Sequence, residues 1–182
     1  LAIPFSYMWT KLGVMNKNPN TPIKFSLGIF QLGLGFLVFA STIYFIADNG
    51  KIPFLFVFLG YFLITTGELF LSPVGLSKVT ELAPKKMVAF MMGVWFLSST
   101  FAHYISGIIA KLTTSGSDLS EGNMLSDLAN SFMGNPDRSS EALSTILQYN
   151  TVYAQIGFVA IFISIFVFII SPFIKKLMHG IH

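Results

Sequence analysis

Residues 61–86 read YFLITTGELFLSPVGLSKVTELAPKK, an apolar run long enough to cross a membrane with a carboxylate, Glu68, in its middle. Counted from Pro53 at about 1.5 Å per residue, Glu68 lies roughly 22 Å into a helix, too deep to reach the interface. A charge at that depth is costly, so either a neighbouring helix holds it for packing or it belongs to a substrate, ion or proton pathway. Helical spacing puts Tyr61, Thr65, Glu68, Ser72 and Gly75 along one face, a polar stripe turned toward other helices or water rather than lipid. Pro73 removes a hydrogen-bond donor opposite the Leu69 carbonyl, and Gly67 and Gly75 bracket it, which predicts a bend or hinge beside the acid.

The rest of the chain agrees with lipid as the solvent. It is 53% hydrophobic and 10% charged over 182 residues, with a mean hydropathy of +0.70, more apolar surface than one soluble core would hide. The formal charge of +3 does not mark a nucleic-acid binder, because eight of the eleven basic residues (Lys11, Lys17, Lys24, Lys78, Lys85, Lys86, Lys175 and Lys176) fall in or beside short connectors. Cysteine is absent, which removes disulfides, thiolate metal sites and cysteine nucleophiles. His103, His179 and His182 are too scattered for a metal site, and no Ser/His/Asp set is evident, so no enzyme is expected.

Hydropathy divides the chain into the end of a transmembrane helix at 1–10, a loop at 11–22, and full spans at 23–47, 53–76, 87–110 and 151–174. Thr21 is the expected N-cap of the first full span, with Pro22 at its first helical position. A loop at 77–86, into which the second full span could extend as helix as far as Leu82, a long loop at 111–149 and a tail at 175–182 complete the pattern. Connectors rich in lysine alternate with neutral or acidic ones, which places 11–22, 77–86 and the C-terminus in the cytoplasm and 111–149 outside. Within that outer segment Asp118 and Glu121 resemble a capping box, and Leu125, Leu128 and Phe132 would form one face of a short helix resting on membrane or protein. The opening LAIPFSYMW reads as the end of a helix, so the expectation is the C-terminal part of a longer membrane protein.

In the span at 87–110, Trp95 is either a pocket wall or ordinary packing. Ser98, Ala102, Ser106 and Ala110 recur every four residues, a ridge that lets another helix approach. His103 is read as a hydrogen-bonding residue.

The block GELFLSPVGLSKVTELAPKKMVAFMMGVWFLSS, Gly67 to Ser99, resembles the proton-coupled oligopeptide transporter family of the major facilitator superfamily. NKNPNTPIKFSLG resembles the entry to that family's ninth helix. The resemblance implies an all-α integral membrane fold, with the end of the eighth helix followed by the ninth to twelfth of a major facilitator bundle. It implies import of di- and tripeptides with protons as the coupling ion, no other cofactor, and a multi-pass place in the inner (plasma) membrane. Partners would be peptides, protons, the lipid bilayer and the N-terminal helices of the same transporter, and no nucleic acid. By the same resemblance Glu68 would hold a peptide's amino terminus, with Ser72 and Trp95 in the same pocket, and Leu76 and Met92 would join Trp95 in a gate hinged at Pro73. The rival reading is a non-transporting membrane scaffold or accessory subunit.

Overall fold

The structure, a computed structural model, describes residues 2–15, 18–46, 51–114, 124–134 and 141–177. The helices are α1 (Ala2–Val14), α2 (Thr21–Ala40, continued by a 3₁₀ turn at Ser41–Phe45), α3 (Phe54–Leu82), α4 (Val88–Thr114), α5 (Met124–Met133) and α6 (Glu141–Leu177). Among the described residues, four segments are long and apolar enough to cross a membrane: Thr21–Phe45, Phe54–Leu82, Val88–Lys111 and Thr145–Lys176. The cap of α2 is Asn20 rather than Thr21, it makes no side-chain cap bond, and Pro22 sits in the first turn.

Helix α2 is the spine, packed on α3 along one flank and on α6 along the other. Its flank toward α3 carries Gly28 and Gly35, seven residues apart, which meet Gly67 and Gly60 of the antiparallel α3. A Cβ on Gly67 would lie 2.8 Å from the Gly28 carbonyl oxygen, and one on Gly28 would lie 2.9 Å from that of Gly67. The flank toward α6 repeats the device, since a Cβ on Gly33 would stand 2.9 Å from the Gly157 carbonyl. Lipid gives helices no hydrophobic reason to associate, so close backbone approach and hydrogen bonds hold them together.

Those hydrogen bonds are present. The Ser26 hydroxyl donates to the Ser164 carbonyl at 3.0 Å and the Ser164 hydroxyl donates to the Ser26 carbonyl at 2.9 Å, both buried. Asn150 donates to the Thr42 hydroxyl at 3.3 Å. Because such bonds in membranes are worth on average about 0.6 kcal/mol each, Ser164→Ala should lower the thermal unfolding midpoint of the detergent-solubilised protein only slightly. Adding Ser26→Ala should cost less than a second independent change, because the two hydroxyls share one contact.

The outer segment at 111–149 holds the expected short helix and is narrowed at both ends. Helix α4 runs on to Thr114, α5 covers Met124–Met133, and α6 begins at Glu141 rather than Thr151. The early start follows from packing: Leu147 is buried with Ile43 and Met133, and Asn150 is buried against Thr42. These contacts hold in a helix a stretch whose polar residues lower its hydropathy. Helix α5 rests on the protein, with Ala129 and Met133 buried, Leu125, Leu128 and Phe132 half-buried, and Phe132 edge-on to Phe158 at 5.8 Å. The Tyr44 hydroxyl donates to the Phe132 carbonyl, and Gly134, at φ 69°, ends the helix in the left-handed region. Asp118 and Glu121 lie outside the described residues.

Helix α4 differs from the others. None of its spanning segment is buried by the rest of the chain, and Ser98, Ala102, Ser106 and Ala110 all lie on exposed surface. Its firmest seat is at Trp95, against Gly75 of α3.

Candidate functional site

The small residues of α3 decide which way its acid points. Gly60, Thr66 and Gly67 are buried toward α2. Gln31 of α2 donates to the Thr66 hydroxyl at 2.5 Å, and that hydroxyl donates to the Phe62 carbonyl at 2.8 Å. With that side of the helix pinned, Tyr61, Thr65, Glu68 and Ser72 fall on the opposite side, and all four are exposed. Tyr61 is steadied by an edge-on contact with Phe39 at 5.3 Å. The result is a strip of one carboxylate, two aliphatic hydroxyls and a phenol, left open by the chain's own packing. Pro73 is exposed beside it, and α3 stays helical through that position.

Gly75, grouped with the stripe by helical spacing, is instead buried. A Cβ there would lie 2.2 Å from the tip of the Trp95 indole and 3.1 Å from Phe25, so the absence of a side chain is what admits the indole. Trp95 is half-buried and closes the stripe one turn beyond Ser72.

Beyond Trp95, toward the end of the bundle that carries Lys24, Lys78 and Lys175, lies a cavity of about 460 Å³ lined by Phe25, Gly75, Val79, Met91, Trp95 and Val167, among others. Glu68, Ser72 and Leu76 do not line it, and the methionine that does is Met91, not Met92. Leu76 and Met92 are both half-buried. The stripe and the cavity are therefore separate features that meet at Trp95. His103 is exposed on α4, and among the described residues no group of three or more His, Cys, Asp or Glu is placed to hold a metal ion.

Sequence reasoning missed the Gln31–Thr66 bond, although a glutamine inside an apolar span was a usable signal. It also missed the glycine seams, whose signal was the seven-residue spacing of Gly28 and Gly35 and of Gly60 and Gly67. The cavity had no local signal, because its walls come from four helices.

The model of the POT family matches residues 1–125. The chain is 28% identical over 172 residues to dipeptide and tripeptide permease B of Salmonella typhimurium, covering 94% of this chain and 31% of the permease. It is 32% identical over 180 residues to the uncharacterized transporter YclF of Bacillus subtilis, covering 97% of this chain and 29% of that protein. A crystal structure of a POT family transporter in complex with a thioalcohol-conjugated peptide superposes with a TM-score of 0.69 at 28% identity, over 94% of this chain and 28% of that one. The chain thus spans about a third of the length of the curated relatives it matches.

Proposed function

Because this chain belongs to the POT family, we propose that it serves as the C-terminal part of a proton-coupled symporter that imports di- and tripeptides by alternating access. In this reading α1 is the end of the eighth helix, and α2, α3, α4 and α6 are the ninth to twelfth. The observation that carries it is the orientation of α3, whose glycine side closes on α2 while Tyr61, Thr65, Glu68 and Ser72 are left facing out. The N-terminal helices of the transporter would form the other wall of the cavity over that strip, as expected of a carrier whose site lies between two halves.

The chemistry suits an amino terminus. The carboxylate of Glu68 attracts a peptide ammonium, the Ser72 hydroxyl offers a further acceptor one turn away, and Trp95 gives an apolar wall at the far end of the strip. Both charges lose water when they meet, so the pair binds reversibly rather than locking. Leu76 and Met92 complete a gate with Trp95, and Pro73 frees the adjoining carbonyl so that the end of α3 can swing while the pinned section around Thr66 stays still. The proton is the coupling ion. The lysine-rich connectors and the C-terminus face the cytoplasm across the plasma membrane, following the excess of lysine on that side.

Uptake of a radiolabelled dipeptide into vesicles holding the full-length protein tests this reading. Accumulation that an inward proton gradient drives and an uncoupler abolishes is expected. An absence of uptake under both conditions would favour a membrane scaffold built on the same bundle.

A further inference from the structure

The cavity beyond Trp95 shares only that indole with the peptide site described above, and its chemistry is different. Phe25, Val79, Leu82, Met91, Val167 and Ile174 give it apolar walls. A peptide there would bury backbone N–H and C=O groups with almost nothing to bond them, and an apolar chamber does not hold water well either. At about 460 Å³ it falls within the range of roughly 300–1,000 Å³ usual for small-molecule sites.

Its position narrows the occupant. Thr21, the first residue of α2, lines it, as do Leu82, the last of α3, and Ile174, near the end of α6. The cavity therefore opens where the spans meet the polar boundary of the membrane. Two of its walls lead directly into basic sequence: Pro84 into Lys85 and Lys86, and Ile174 into Lys175 and Lys176, all four exposed. Among the described residues, the one carboxylate at this end is Glu81, which pairs with Lys78 at 2.6 Å. An apolar slot at the interface beside four exposed lysines fits an amphiphile with an anionic head.

We propose that this cavity binds one acyl chain of an anionic phospholipid, whose phosphate rests on the lysines of the 84–86 connector and the end of α6. A free phosphate would use the lysines and leave the slot empty, and a zwitterionic lipid would fill the slot with less benefit from the lysines. Because Gly75 and Trp95 form one wall, an acyl chain there presses on the same indole that closes the polar strip. Lipid composition thereby reaches the peptide site through the one indole that the two share.

The test uses the full-length transporter in phosphatidylcholine vesicles containing a small fraction of lipid with brominated acyl chains, which quench indole fluorescence on contact. The Trp95 signal is the difference between the parent and Trp95→Phe. Brominated phosphatidylglycerol is expected to quench that signal several-fold more effectively than brominated phosphatidylcholine at equal fraction. Replacing Lys85 and Lys175 together by Gln should remove most of that several-fold preference, and Val79→Phe, which fills the slot, should remove quenching by both lipids. Equal quenching by the two lipids, a preference that survives loss of the lysines, or quenching unchanged by Val79→Phe would overturn the proposal. So would a Trp95 signal that neither lipid quenches, which would mean that another part of the transporter fills the space.

Discussion

Glu68→Gln in the full-length transporter should reduce dipeptide affinity at least about 100-fold, read as the concentration of unlabelled dipeptide that halves uptake of a labelled one. The size follows from the geometry. Glu68 supplies the sole negative charge on the exposed strip of α3, and removing one partner of a desolvated ion pair commonly costs about 3–5 kcal/mol. The amide keeps the shape and can still accept a hydrogen bond, so the loss isolates charge from size. A peptide acetylated at its amino terminus should bind the parent protein as weakly as an ordinary dipeptide binds Glu68→Gln. Combining the two changes should add little, because both remove the same interaction. If the acetylated peptide and the free one compete equally well with the parent, the acid does not meet the amino terminus.

The second large effect concerns packing. Gly67→Val should lower the thermal unfolding midpoint and the yield of folded protein, at a cost of about 1–3 kcal/mol or more for forcing volume into a filled contact. The first atom of any side chain at that position would stand 2.8 Å from the Gly28 carbonyl, and that atom is backbone and cannot rotate away. Gly28→Val should do the same from the other side, and the double variant should be less harmful than the sum, since a single separation of α2 and α3 accommodates both. Fluorescence-detected size exclusion after a heating series would read all three. Wild-type melting of Gly67→Val would mean that α2 and α3 do not meet backbone to backbone.

Much of the architecture was legible because lipid imposes a simple rule: long apolar runs separated by charged connectors must be spans. That Tyr61, Thr65, Glu68 and Ser72 share one face was legible too, since their spacing needs only the helical period. Gly75 shows where that method stops. It lies at the edge of the same face, and the neighbouring helix that lays Trp95 over it decides that it is buried. The start of α6 was hidden for a related reason. Gln148, Tyr149 and Asn150 read as loop by hydropathy, yet the buried positions Leu147, Asn150, Ala154 and Gly157 already keep a helical rhythm. Their partners on α5 and on the turn after α2 are remote in sequence, so a window that averages neighbours does not see them.

The contact between α2 and α3 has a mechanical consequence. At Gly28 and Gly67 backbone meets backbone, with the Leu71 and Gln31 side chains packed alongside, so a push on one helix passes to the other through a short, stiff contact. Helix α4 is coupled to that pair chiefly through one aromatic ring resting on a hydrogen-only position, a joint that can slide. A load applied at Glu68 would move α2 and α3 in step while α4 lags, which makes the indole of Trp95 the place where stiff and compliant parts of the machine slip past each other.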